Sequence, residues 1–377
     1  MTLRFVKASA VLVILLAGCS GGSSTNDYPA ATTTPVPATV LTTQPSAYSI
    51  TVFAQTKGTL QPDDLVQVGN SVYVILQDSN INPDGTLASG VTSAQSKLAV
   101  YDLSGNLQQT YDLPGHPDGM VALNSGTIWI SSNEDANPLI TVFTIASGAL
   151  QTYSSDVDTL AHGGGLDDLK VINGVVYASA SNPTTTMSPS PNLAPYSSDV
   201  SGATAEYGVN TGPVLYSIAL NSNGATYHAT PALMSSITVN SLPGNTPITL
   251  NMTDADSSAL DPIGNFVITS QQDSEIVTVS NLGTPSQSVS VVNMTLYGNP
   301  WPLDDTRWVP AGGATSMLVS DPPTQLIYQI TAIAGFQANS AFSSGQGTVL
   351  QSNTGTGVLT PIFTGMNNPH GLIFLSN

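Results

Sequence analysis

One short unit recurs six times along this chain, and that repetition restricts the possible folds more than any other feature. Each copy has an acidic or Pro/Gly turn followed by a strand, and in all but the last a tight turn and a second strand follow. Units repeated about every 50 residues are typical of propellers and related arrays. The copies are PDDLVQVGNSVYVIL (62–76), HPDGMVALNSGTIWISS (116–132), LDDLKVINGVVYASA (166–180), SSALDPIGNFVITS (257–270), DDTRWVPAGGATSMLVS (304–320) and NPHGLIFLSN (368–377).

A second kind of hairpin lies between these units. Ser-Gly, Asn-Gly, Thr-Pro or Thr-Gly pairs supply the backbone angles that each strand reversal needs. Two strands plus two strands make a four-stranded antiparallel blade, so the sequence predicts an all-β fold, a β-propeller of about six blades. Five blades and a stray strand is the alternative. The hairpins are LAVYDLSGNLQQTYDLP (98–114), ITVFTIASGALQTYSSD (140–156), VLYSIALNSNGATYHAT (214–230), IVTVSNLGTPSQSVSVV (276–292) and TVLQSNTGTGVLTPIFTG (348–365).

The last unit has a single strand, and its sheet needs partners from elsewhere. An unpaired strand edge favours aggregation, and a ring cannot leave one blade open. We therefore expect ATVLTTQ (38–44) and YSITVFAQT (48–56) to pair with Gly371–Ser376 and close the ring. Two irregular intervals are assigned to insertions, a polar one at 181–212 in the third unit and GFQANSAFSSGQG (335–347) in the fifth.

The N-terminus has the order of parts of an export signal. Arg4 and Lys7 precede a short apolar run (11–18), and Leu-Ala-Gly-Cys (16–19) then resembles a bacterial lipobox. This resemblance implies a signal peptide at 1–18, lipidation of Cys19, a flexible Ser/Thr/Pro tether over 19–45 and a propeller domain over 46–377. Because Ser20 follows the cysteine, it also implies the outer membrane of a diderm bacterium, with the lipid anchor as the contact to the membrane.

Charge excludes one class of partner. The chain has 6 Lys and Arg against 24 Asp and Glu. Loss of Arg4 and Lys7 with the signal leaves 4 − 24 = −20. Phosphate binding needs clustered cations, so we expect no nucleic-acid partner. Cys19 is the only cysteine, so the rest of the chain has no thiol chemistry.

The turns HPDG and NPHG, each before an alternating strand, and the phrase TGVLTPIFTGMNNPHGLIF (356–374) resemble NHL-type and virginiamycin B lyase-like six-bladed propellers. The resemblance covers about residues 46–377. Such propellers include lyases, lactonases, dehydrogenases and binding modules, so it implies the fold and not the activity. In the lyases a histidine near the channel removes a proton with the help of Mg²⁺. The positions that resemble it are His370 and then His116, although the paired catalytic histidine motif of the lyases is not found.

Acidic residues concentrate in the junctions that enter the inner strands, which meet on one face of a propeller. These junctions hold ten of the 24 acids and three of the four histidines: His116, His162 and His370. Carboxylates are ligands for Ca²⁺ or Mg²⁺, so a cation near the channel mouth is one prediction. The alternative is that each Asp accepts hydrogen bonds from strand-entry amides. The candidate ligands are Asp118, Asp168, Asp256 and Asp305.

Two functions follow from these features. The first is binding or scaffolding at the cell envelope, with the acidic mouth recognising a protein or carbohydrate ligand. The second is a metal-assisted lyase or lactonase that works at the same mouth. The beginning of the first inner strand has no glutamate, which counts against a sugar lactonase; the glutamates beyond the signal are Glu134, Glu206 and Glu275.

Overall fold

The computed structural model describes residues 41–42, 47–124, 126–180, 212–252, 254–271 and 273–376. The predicted signal peptide, Cys19 and nearly all of the tether lie outside these residues, as does almost the whole insertion at 181–212. The regular structure is strands, apart from one 3₁₀ turn at Pro322–Thr324. Within the described residues, no helix has the length and apolar character needed to span a bilayer.

Four blades are continuous in sequence, and each runs antiparallel from an inner strand to an outer one. All four inner hairpins predicted between residues 62 and 270 are formed, as are the hairpins that follow them. Their strands, from inner to outer, are β3 (Leu60–Val68), β4 (Ser71–Asp78), β5 (Ser96–Asp102) and β6 (Leu107–Leu113) in blade 1; β7 (Pro117–Leu123), β8 (Thr127–Ser132), β9 (Leu139–Thr144) and β10 (Ala149–Ser155) in blade 2; β11 (Leu169–Ile172), β12 (Val175–Ser179), β13 (Pro213–Leu220) and β14 (Thr226–Met234) in blade 3; and β17 (Ala255–Leu260), β18 (Phe266–Ser270), β19 (Glu275–Ser280) and β20 (Ser288–Asn293) in blade 4.

A hairpin of blade 6 lies in sequence between two strands of blade 5, which the sequence pattern did not predict. Blade 5 contains β23 (Thr306–Trp308), β26 (Ala341–Gly345), β27 (Thr348–Asn353) and β28 (Val358–Thr364). The hairpin of β24 (Ala314–Asp321) and β25 (Leu326–Phe336) interrupts this blade and belongs to blade 6. The predicted hairpin at 304–320 is therefore wrong, because β23 pairs with β26 instead of β24. The stretch 335–347, interpreted as an insertion, contains the second strand of blade 5.

The ring closes in blade 6, although not by the predicted pairing. This sheet has the order β2 (Tyr48–Gln55), β25, β24 and β29 (Leu372–Phe374), so it contains both the N-terminal and the C-terminal strand. The two do not pair with each other: β2 pairs with β25, and β29 pairs with β24. The short strand β1 (Leu41–Thr42) pairs with β28 in blade 5.

Further strands protect the outer edges of two blades. The hairpin of β15 (Thr238–Leu242) and β16 (Thr246–Thr249) extends blade 4 through a parallel pairing of β15 with β20. The hairpin of β21 (Thr295–Leu296) and β22 (Asn299–Pro300) extends blade 5 through β28. A short parallel pairing of β10 with β14 joins blades 2 and 3.

The inner strands form a closed circle. Strand β3 contacts β7, β7 contacts β11, β11 contacts β17, β17 contacts β23, β23 contacts β29, and β29 contacts β3. Apolar side chains fill the space between neighbouring blades; Ile75 of blade 1, for example, packs in one cluster with Ile130 and Phe143 of blade 2. This circular arrangement confirms the predicted all-β propeller; its described strands form five hydrogen-bonded sheets, because the pairing of β10 with β14 joins blades 2 and 3 into one.

Candidate functional site

A cavity of about 260 Å³ opens on the propeller axis at the end where the inner strands begin. Most of the residues that line it have polar side chains, and carboxylates predominate among them. Both candidate histidines, His116 and His370, line it. So do the four candidate metal ligands and five other acids, Asp63, Asp64, Glu134, Asp254 and Asp304.

The residues that begin the inner strands alternate around the axis. Blades 1, 3 and 5 begin with an Asp-Asp doublet, and blades 2, 4 and 6 begin with an Asp or His followed by a small residue. The doublets are Asp63-Asp64, Asp167-Asp168 and Asp304-Asp305; the other pairs are Asp118-Gly119, Asp256-Ser257 and His370-Gly371.

The second aspartate of each doublet joins two blades through backbone amides. Asp64 accepts hydrogen bonds from the amide of Leu65 (2.7 Å) and from that of Met120 in the next blade (2.8 Å). Asp168 does the same with Leu169 (2.6 Å) and Ser258 (2.9 Å). Three such carboxylates would satisfy one amide in each of the six inner strands, since each serves its own blade and the next.

Asp305 completes this set. It accepts hydrogen bonds from the amides of Thr306 (2.7 Å) and Leu372 (3.0 Å). Asp168 and Asp305 were candidate metal ligands, but their contacts match the alternative role, the capping of strand-entry amides. The oxygens of Asp168 and Asp305 are therefore occupied by backbone amides.

Two cations lie among these three aspartates. Arg307 forms a short ion pair with Asp305, and its Nη2 atom lies 3.5 Å from Asp168 and 3.7 Å from Asp64. Lys170 Nζ lies 2.6 Å from Asp168 Oδ2. Burial, with the neighbouring charge of Asp168, still raises the pKa of Asp64 to about 7. Three buried carboxylates thus share two positive charges at the base of the cavity.

His370 is the only basic residue among the first residues of these pairs. Its Nδ1 atom lies 2.8 Å from Asp63 Oδ1, and its Nε2 atom lies 2.7 Å from the Asn368 amide nitrogen and 3.7 Å from Asp304 Oδ2. Burial lowers the pKa of His370, but Asp304 and Asp63 outweigh this and raise it to about 10. A protonated imidazole has no lone pair to accept a proton, so the two carboxylates favour His370 as a resident cation instead of a base, which requires Asn368 to turn its amide oxygen, and not its nitrogen, towards Nε2.

His116 has the opposite electrostatic environment. Burial lowers its pKa to about 4, so the imidazole is neutral at physiological pH. Its Nδ1 atom is buried without a hydrogen-bond partner, and its backbone amide is anchored by Asn133 Oδ1 at 2.9 Å. Of the two candidate bases, His116 is the one with a proton-accepting nitrogen available.

Side-chain amides hold carboxylates at two places around the cavity. Gln77 donates to Asp63 Oδ2 (3.1 Å) and to the carbonyl of Pro117 (3.0 Å). Gln271 donates to Asp304 Oδ2 (2.9 Å) and Asp256 Oδ2 (3.3 Å), so that it joins blades 4 and 5. Asp256, another candidate metal ligand, is thus bonded to an amide.

In blades 2 and 3, three carboxylates converge without such an amide between them. Oxygen atoms of Asp118, Glu134 and Asp167 all lie within 4.8 Å of one another. Burial, followed by the charge of Asp135, raises the pKa of Glu134 to about 8. Burial, followed by the charge of Glu134, raises the pKa of Asp118 well above its usual range. The group is therefore short of positive charge.

Two members of this group, Glu134 and Asp167, were missed by the sequence analysis. Asp167 could have been found, because it precedes the amide-capping Asp168 as Asp63 and Asp304 precede the amide-capping Asp64 and Asp305. Glu134 follows β8 in a loop, and no repeated pattern marks it. His162, the third junction histidine, lies elsewhere: it is only 1% exposed, between the hydroxyl of Tyr216 and the carbonyl of Gly165.

Comparison with known proteins identifies no family. No family model matches the chain, and no curated protein matches it. Solved structures share its general arrangement, among them a streptogramin B lyase with 11% identity and a TM-score of 0.40, covering 86% of this chain and 91% of that one.

Two other solved structures give similar values. A virginiamycin B lyase from Staphylococcus aureus has 12% identity and a TM-score of 0.33, covering 76% of this chain and 100% of that one. A protein from Lactobacillus plantarum has 9% identity and a TM-score of 0.44, covering 84% and 88%. Likenesses this distant say nothing about activity, and the propeller assignment stands on the strand order and the circle of inner strands.

Proposed function

We propose that this protein is a lipoprotein of the cell envelope whose β-propeller binds its ligand through a divalent cation at the mouth of the axial cavity. One observation carries the cation: the convergence of Asp118, Glu134 and Asp167 oxygens within 4.8 Å. Three carboxylates this close repel one another, and a bound cation relieves that repulsion. Oxygen ligands favour Ca²⁺ or Mg²⁺.

A bound cation would leave coordination positions for an outside ligand. The convergence brings together one oxygen from each of the three side chains, fewer than the six to eight or so ligands that Ca²⁺ takes, so water or a ligand completes the shell. The remaining lining offers hydrogen bonds, and Ser257, which is 9% exposed, has a buried hydroxyl without a partner. An oxygen-rich ligand, such as a carbohydrate or a polar protein loop, fits this chemistry best.

The second candidate function is a metal-assisted lyase or lactonase at the same mouth. The observation in its favour is His116, which lines the cavity with a neutral ring and has a buried Nδ1 atom without a hydrogen-bond partner. Such a nitrogen accepts a proton from a substrate while a cation polarises the neighbouring carbonyl. Replacement of His116 by Gln separates the two functions, because it would abolish turnover and leave ligand binding in place.

Calorimetric titration of the mature chain with Ca²⁺ and with Mg²⁺ tests the cation. We expect saturable binding of one of the two ions and a rise in melting temperature. Glu134→Gln should abolish both effects, whereas Asp112→Asn, on a 68% exposed side chain of blade 1, should change neither. Absence of binding to the unaltered chain at millimolar concentrations would exclude the proposal.

The envelope location has its own test. Mass spectrometry of the protein extracted from membranes of a diderm host should find an acylated Cys19 as the first residue. Cys19→Ala should release the protein from the membrane fraction. A mature protein that begins elsewhere and lacks lipid would contradict the anchor without affecting the cation site.

A further inference from the structure

Two groups on different sides of the cavity have the same design and differ in one functional group. In each, the first aspartates of two neighbouring blades are joined by a side chain that follows a second strand. In blades 2 and 3 the joining residue is Glu134, between Asp118 and Asp167. In blades 4 and 5 it is Gln271, between Asp256 and Asp304.

The chemistry of the joining residue decides what each group needs. An ionised carboxylate only accepts hydrogen bonds, so Glu134 cannot join two other carboxylates without a proton or a metal ion between them. An amide has two N–H donors, and Gln271 Nε2 reaches Asp304 at 2.9 Å and Asp256 at 3.3 Å. The second group is therefore held together by hydrogen bonds.

Positive charge is also distributed unequally between the groups. His370 Nε2 lies 3.7 Å from Asp304, so the second group already has a cationic neighbour. Burial and the charge of Asp304 are nevertheless the two largest causes that raise the pKa of Asp256. Conversion of the Gln271 amide to a carboxylate would add a third negative charge to the second group. That group would then need a bound cation.

We propose that Gln271 limits the axial cavity to a single divalent cation. Its amide holds Asp256 and Asp304 by hydrogen bonds, whereas a carboxylate at this position would hold them through a second metal ion. This inference rests on the proposed cation site at Asp118, Glu134 and Asp167. It assigns Gln271 as a specificity-determining residue, because the amide, and not the shape of the ring, sets the number of ions.

Isosteric exchanges at the two joining residues test the proposal. Equilibrium dialysis with radioactive Ca²⁺, or with Mn²⁺ as a substitute for Mg²⁺, measures the number of ions bound per chain. We expect one ion for the unaltered chain, two for Gln271→Glu, none for Glu134→Gln and one for the double variant. Gln109→Glu, on the exposed outer strand of blade 1, adds the same charge away from the cavity and should leave the number at one.

The outcomes separate the inference from the function on which it rests. One ion in both the unaltered chain and Gln271→Glu would overturn the role of Gln271 and leave the first site intact. No ion in the unaltered chain would overturn the proposed function itself. A melting curve for each variant shows whether it is folded; if Gln271→Glu does not fold without metal, the proposal requires millimolar Ca²⁺ or Mn²⁺ to restore its fold with two ions bound, and a failure to do so would contradict the proposal.

Discussion

Gly119 lies so close to Asp168 of the neighbouring blade that a Cβ atom on Gly119 would be 2.4 Å from the Asp168 Cα atom. The same relationship recurs between Gly371 and Asp64, where the corresponding distance is 2.9 Å. Because these aspartates cap amides in two blades, the neighbouring strand must begin with a small residue. Glycine meets this packing requirement at Gly119 and Gly371, and the small residue Ser257 occupies the corresponding position in blade 4.

Replacement of Gly119 by Ala should lower the free energy of unfolding by about 1–3 kcal/mol, the usual cost of overpacking a fixed position. The added methyl meets backbone atoms, which cannot turn away as a flexible side chain would. Denaturant unfolding of the two proteins measures the difference. Gly312→Ala is the matched control, since a Cβ atom there meets nothing within 4 Å, and an equal effect of both substitutions would contradict the close contact.

Arg307 should be among the residues on which stability depends most. Its guanidinium faces Asp64, Asp168 and Asp305, and its side chain is 15% exposed. Arg307→Met would leave these buried carboxylates with Lys170 alone, at an expected cost of about 3–5 kcal/mol in the free energy of unfolding. Chemical denaturation at neutral pH measures this cost.

The control for Arg307 is Lys97→Met, which removes an ion pair with the exposed Asp112 in blade 1. Surface ion pairs contribute about 0–1 kcal/mol, so this substitution should have little effect. A loss at Arg307 no larger than the loss at Lys97 would show that the aspartates at the base of the cavity do not need the guanidinium.

Most hairpins of the ring were predictable from sequence because nearby residues determine each of them. A turn such as Asn-Gly between two alternating apolar runs determines a hairpin without reference to the rest of the chain. The pairing of β23 with β26 was not predictable, since Trp308 and Ala314 are separated by a turn-like PAGG (310–313) that predicts one hairpin. The choice between partners depends on neighbouring blades, which a local pattern does not contain.

The candidate site was predictable in location and only partly in detail. Loop position alone brought His116, His370 and the junction acids to one cavity. The different roles of the two aspartates in a doublet were not predicted. Asp168 caps backbone amides, whereas Asp167 is one of the convergent carboxylates. Asp167 and Asp168 precede β11, so no strand alternation assigns the directions of their side chains in advance.

The stability of the fold should depend on the protonation of His162. This histidine is buried, and its ring lies 2.7 Å from the Tyr216 hydroxyl and 2.8 Å from the Gly165 carbonyl. Burial lowers its pKa from 6.5 to about 4. The folded state therefore favours the neutral ring, and the stabilisation is complete above pH 6.5 and is lost as the pH falls towards 4.

His162→Gln isolates this contribution. At pH 7.5 the variant should be less stable than the unaltered chain, because two buried hydrogen bonds are disturbed. Between pH 7.5 and pH 4 the difference should shrink by about 3 kcal/mol, since only the unaltered chain has a histidine that resists protonation in the fold. Urea unfolding across this range measures it, and a difference that does not vary with pH would refute the assignment.

Anomalous X-ray diffraction from a crystal of the protein grown with Mn²⁺ tests the proposed function most directly. Mn²⁺ prefers the same oxygen ligands as Mg²⁺ and gives an anomalous signal that locates it. We predict one strong peak in the axial cavity, within coordination distance of Asp118, Glu134 and Asp167. A cavity without a peak, or a peak beside Asp256 and Asp304 instead, would contradict the account.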